Sequence, residues 1–124
     1  MIAHVVLFTP KSDLSEADSR SFAQSIVEVF RQIPVIERAI VGRAVYVKAG
    51  YQRNFGDKTY EFAAVVEFKD AAALLEYLNH PLHKELGALF WRHCESTVIV
   101  DIESADATSS AAVDLLLSGR SSAS

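Results

Sequence analysis

Apolar side chains recur along this chain first as a run, then at helical spacing, then in alternation, and each change of period marks an element. Residues 2–9 (IAHVVLFT) are β-rich and stop at Pro10, which cannot donate to a sheet ladder. Ser15, with Asp18 three positions on, makes a capping-box-like start. Phe22, Ile26, Val29, Phe30 and Ile33 then recur at helical spacing until Pro34. Residues 36–48 carry two apolar clusters around Gly42, where a strand can bulge or bend, and predict a second strand. Two glycines and an asparagine in 49–58 read as a loop, long for a hairpin. Residues 60–68 place aromatic or apolar side chains at every even position, the alternation of a third strand. Asp70 caps a helix over 71–78, and Pro81, well suited to a first helical turn, opens a continuation to about Cys94. A fourth strand follows at 97–102. Residues 103–124, rich in Ser, Ala and Asp, read as a mostly disordered tail with room for one short helix.

The order βαββαβ over residues 1–102 predicts an α+β ferredoxin-like domain, a four-stranded antiparallel sheet with helices on one face. One feature does not fit a lone subunit. In the first strand both the even face (Ile2, His4, Val6, Phe8) and the odd face (Ala3, Val5, Leu7) are apolar or nearly so, and the fourth strand is apolar on both faces. Two helices cover one side of such a sheet, and a half-solvated antiparallel sheet alternates apolar with polar. The second face calls for a partner, most simply an identical sheet, giving a homodimer that packs sheet on sheet as a dimeric α+β barrel.

Composition narrows the rest. At 124 residues and 50% hydrophobic content, the chain is large enough to bury a core without metal or disulfide support. Twelve basic against sixteen acidic residues, a net charge of −4, leave no basic surplus to track a phosphate backbone, so nucleic acid is not the expected partner. Cys94 is the only cysteine, which excludes an intramolecular disulfide. The N-terminus has no basic residue before Lys11, and no apolar run approaches the roughly 20 residues that span a bilayer. These features point to a cytoplasmic location and away from a membrane.

The chemistry concentrates in residues 76–83 (EYLNHPLH), where a phenol and two imidazoles flank a proline. Beyond it Leu82, Leu86, Leu89, Phe90 and His93 form one helical stripe, with His83 at its border. Gly87 stands one turn above His83 and adds no side chain, leaving room beside an imidazole. The corner at residues 79–81 can turn Tyr77 and His83 toward one cavity. His4 joins them if the even face of its strand looks toward the helices. A proton-accepting imidazole and a phenol that hydrogen-bonds a developing oxyanion are a minimal set for enolisation or aldol chemistry. Each residue also has a structural reading: His80 as a helix cap, His83 as a hydrogen-bonded interior histidine, Tyr77 as an amphipathic cover for the core. His80, His83, His93 and Cys94 do not follow a zinc-ligand spacing, and there is no glycine-rich phosphate loop or Gly-x-Ser-x-Gly. No cofactor or metal is expected. Lys11, Arg20, Arg31, Arg38 and Arg43 are scattered and read as solvated surface.

The sequences His4-Val5-Val6-Leu7-Phe8, Val66-Glu67-Phe68, and Tyr77 through His83 leading into the last helix resemble the stress-responsive A/B barrel (Dabb) family over residues 1–102. The resemblance implies ferredoxin-like subunits whose sheets pair into a dimeric barrel. In a plant polyketide cyclase with a similar motif, a tyrosine and the second histidine of His-Pro-x-His act on the substrate, and a strand-one histidine lines the pocket. Carried over, His83 is the base for an intramolecular aldol closure, Tyr77 its helper, and His4 a pocket residue. The motif marks the family more strongly than a reaction. Leu86, Leu89, Phe90 and Trp91 are bulky enough to fill the space of a long acyl chain, which points to a smaller ligand, aromatic or ketonic, or to none. The alternatives are a non-enzymatic stress-related dimer and a cofactor-free monooxygenase.

Overall fold

A computed structural model describes residues 1–48, 50–51 and 59–118 of the chain; most of the loop expected at 49–58 lies outside them. The elements are β1 (Ile2–Pro10), α1 (Glu16–Gln32), β2 (Arg38–Arg43), β3 (Phe62–Phe68), α2 (Ala71–Asn79), α3 (Pro81–His93), β4 (Cys94–Glu103) and α4 (Ser110–Ser118). The strands form one antiparallel sheet in the order β2-β3-β1-β4, the ferredoxin-like α+β arrangement.

Local chemistry sets the helix ends. The Ser15 side chain accepts from the Asp18 N–H, and Asp70 accepts from the Ala73 N–H. Helix α1 stops at Ile33, immediately before Pro34. Its stripe packs as the spacing predicts, with Phe22, Ile26, Val29 and Ile33 buried and Phe30 against the core.

The strand ends differ from the sequence expectation. Strand β2 spans Arg38–Arg43 and not 36–48: among the described residues its ladder with β3 runs only as far as Arg43 opposite Phe62. One more bond, from the Ala44 N–H to the Glu61 carbonyl, closes the pairing, and Val45 and Tyr46 beyond it are exposed. Strand β4 starts three residues earlier than 97 because β1 pairs with it along its length, down to Pro10 opposite Cys94. In the region expected to be a tail, α4 forms a nine-residue helix, and the Ser104 N–H bonds the Met1 carbonyl.

Register assigns the two faces, since directly paired residues share a side. Ile2, His4, Val6 and Phe8 of β1 pair with Phe68, Val66, Ala64 and Phe62 of β3, and all of these face the helices. The core forms there: Val66 and Phe68 are fully buried and Tyr77 is 2% exposed. Burying side chains of this size stabilises the fold by about 1.5–3 kcal/mol each. On the opposite side Ile40, Val65, Val5 and Val100 line up in one row across all four strands. No described helix covers that row, and Ile40 and Val100 are about half exposed. Among the described residues no helix is long and apolar enough to cross a membrane.

Candidate functional site

Helix α2 ends at Asn79 and α3 begins at Pro81, so His80 caps both. Its N–H bonds the Tyr77 carbonyl, while its Nδ1 accepts from the Leu82 N–H; the structural reading of His80 describes what it does. Proline at the first turn of α3 removes a donor that the helix would leave unpaired anyway. The bend brings the last turn of α2 against the first turn of α3. Tyr77 and His83, six residues apart and on different helices, have ring centroids 4.5 Å from each other.

The even face of β1 looks toward the helices, so His4 completes the group. Its ring lies 5.7 Å from Tyr77 and 6.3 Å from His83, edge-on to both. All three sequence-predicted site residues line one cleft of about 570 Å³. Val6, Leu86, Phe90 and Ile99 give it apolar walls. Gly87 of α3 also lines the cleft, and an added Cβ there would meet nothing within 4 Å. Ile99, turned toward the helices by its pairing with Val6, lines the same space and is 57% exposed. Trp91, expected to help fill this space, is instead 89% exposed and borders the cleft, so the interior is more open than the sequence suggested. His93 packs on Phe22 with centroids 5.5 Å apart and is not among the cleft residues.

Hydrogen bonds order the imidazoles. His83 Nδ1 is 3.2 Å from the Leu78 carbonyl, one of the acceptors that the end of α2 leaves unpaired. A carbonyl only accepts, so this nitrogen carries the proton, and in the neutral ring Nε2 is the basic atom. His4 Nδ1 is 2.5 Å from Asp101 Oδ1. Asp101 is a site residue that sequence reasoning missed. The one available signal was a carboxylate interrupting the apolar run of β4; its partner depends on the His4–Asp101 register, which periodicity does not reveal.

Burial separates the protonation behaviour of the group. Desolvation lowers the pKa of His83 below the ordinary 6.5. The neighbouring His4 acts in the same direction and the Leu78 carbonyl opposes it, leaving the ring neutral at pH 7. Desolvation raises the Tyr77 phenol above its ordinary 10.0, so it remains a proton donor. No hydrogen-bond partner takes the Tyr77 hydroxyl among the described residues, and that oxygen is not sealed from the cleft. Burial also raises the Cys94 thiol, which argues against a reactive thiolate. A neutral base, a retained phenolic proton and a carboxylate-backed imidazole around an apolar space suit proton transfer at a carbon next to a carbonyl. The described residues hold no group of three or more His, Cys, Asp or Glu placed to bind a metal ion.

Comparison with known proteins agrees with this architecture. The sequence pattern of the stress responsive A/B barrel domain matches residues 2–104. The uncharacterized protein SCO4036 of Streptomyces coelicolor is 33% identical over 106 residues, covering 83% of this chain and 99% of its own. A dimeric ferredoxin-like protein of unknown function from Thermobifida fusca superposes with a TM-score of 0.66 at 19% identity, over 83% of this chain and 90% of that one. Hydroxynitrile lyase from Passiflora edulis superposes at 0.68 with 20% identity, over 85% and 95%. At these identities the structural likeness is one of fold.

Proposed function

The chain belongs to the stress-responsive A/B barrel domain family, and on that premise we propose a homodimer with one small, mostly apolar ligand cleft per subunit. The ligand is an aromatic or ketonic molecule, and the cleft moves a proton on it. The observation that carries this reading is the convergence of His4, Tyr77 and His83 on one cleft, with centroids 4.5–6.3 Å apart. The uncovered apolar row on the other side of the sheet, together with the dimeric Thermobifida neighbour, supports the pairing of two sheets.

In the proposed step His83 Nε2 takes a proton from the carbon beside a carbonyl, and the Tyr77 hydroxyl hydrogen-bonds the oxygen as enolate charge develops. The enolate carbon attacks a second carbonyl of the same molecule. A carbon–carbon bond forms, and the imidazolium returns its proton to the new alkoxide. This is an aldol closure of the polyketide-cyclase kind, and atoms and charge balance without a cofactor. A base and a donor placed this way each contribute about 10²–10⁴-fold to such a reaction. His4, held by Asp101, orients the ligand. That a hydroxynitrile lyase shares the fold supports acid–base chemistry on this scaffold.

The test is deuterium exchange into the methyl group of acetophenone in D₂O, followed by proton NMR. Exchange is expected to run faster with protein than with buffer. It should fall to the buffer rate in His83→Ala and drop at least about tenfold in Tyr77→Phe, which keeps the buried ring and removes the donor. Wild-type exchange that persists unchanged in His83→Ala would remove the base from the account.

A further inference from the structure

The charges around the cleft carry more than its shape does. We propose that this site, taken as the ligand site argued above, accepts an uncharged carbonyl compound and turns away the matching carboxylate, with Glu95 setting that choice at the mouth.

Among the described residues that line the cleft, Glu95 is the one carrying a formal charge at neutral pH apart from the histidines, and none is Lys or Arg. The nearest cations on α3, Lys84 and Arg92, are exposed and do not line it. Of the two imidazoles, His4 is already engaged by the Asp101 carboxylate, so any positive charge it carries is matched from within the protein. His83 sits in a desolvated position that favours its neutral form. The other polar lining groups near the mouth, the hydroxyls of Ser96 and Thr97 and the Cys94 thiol, are neutral.

A carboxylate entering this space would leave water for apolar walls, find no unpaired cation among the described lining residues, and approach the Glu95 carboxylate of its own sign. A ketone or aldehyde faces none of these costs. Its oxygen needs one donor, which the free Tyr77 hydroxyl supplies, and its apolar part meets Val6, Leu86, Phe90 and Ile99. A cleft of about 570 Å³ holds a ring with a short substituent comfortably.

Acetophenone and benzoate have nearly the same shape and differ in charge, so they form the test pair. Their affinities for the full-length protein are measured by saturation-transfer NMR at pH 8 and low ionic strength, where surface charges are least screened. Acetophenone is expected to bind at least about tenfold more tightly than benzoate. The gap should narrow in Glu95→Gln and narrow further in Glu95→Lys, exposed substitutions that leave the core untouched. Equal affinities in the wild type would overturn the charge selection while leaving the ligand site in place. A gap unmoved by Glu95→Lys would overturn the role of Glu95. If neither compound binds, the reading of the cleft as a ligand site falls and this inference falls with it.

Discussion

Tyr77 and His83 stand on opposite sides of one proline, and the same burial moves their proton affinities in opposite directions. Desolvation disfavours the charged form of each, so His83 resists gaining a proton and Tyr77 resists losing one. This has a consequence for rate. The exchange catalysed by His83 is expected to decline in acid with a midpoint below 6.5, read from a profile between pH 5 and 9. A midpoint above 6.5 would contradict a desolvated base. Stability follows with a definite sign. The unfolded chain protonates this histidine near 6.5 while the folded chain does so only at lower pH. The His83 contribution is therefore fully present above 6.5 and lost as pH falls through the folded pKa. The role of Asp101 was the least legible feature at this scale, because a carboxylate in a strand reads as solvent-facing until the register places it against His4.

Helix α3 contains an element-scale exception beside the site. Gly87 lies in a helix interior without positive φ, and a Cβ there would meet open space. Gly87→Ala is therefore expected to raise unfolding free energy by about 1 kcal/mol, measured by urea denaturation. A neutral or destabilising result would mean that the space above His83 is not free. Elements governed by local rules were legible in the sequence. The Ser15 and Asp70 caps, the α1 stripe and the proline at the start of α3 depend on residues within one or two turns. Elements governed by partners were not. Strand β2 ends where β3 stops pairing with it, and β4 begins where β1 still does, so neither boundary is written in its own residues. Trp91 failed for a related reason: it follows the buried stripe of α3 in sequence but leaves the core in space.

At the scale of the molecule the sheet has two apolar faces, and no described helix covers the row Ile40, Val65, Val5 and Val100 on one of them. The apolar doublets of β1 and β4 made this visible before any coordinate, since ordinary alternation would have placed polar groups at Val5 and Val100. The row Ile40, Val65, Val5 and Val100 is expected to lie at the centre of the dimer. Sedimentation should find the wild type at twice 13.6 kDa and Val100→Lys at 13.6 kDa with unchanged far-ultraviolet circular dichroism. A wild type that sediments as a monomer would leave the apolar row unexplained. The central claim, that His4 and His83 face a ligand in one cleft, has a more direct test in the chain's four histidines, two in the cleft and two outside it. Acetophenone is titrated into ¹⁵N-histidine-labelled protein and the imidazole nitrogens are followed by NMR. Saturable shifts at His83 and His4, with His93 on Phe22 unmoved, are the expected result; no shifts, or equal shifts at all four histidines, would contradict it.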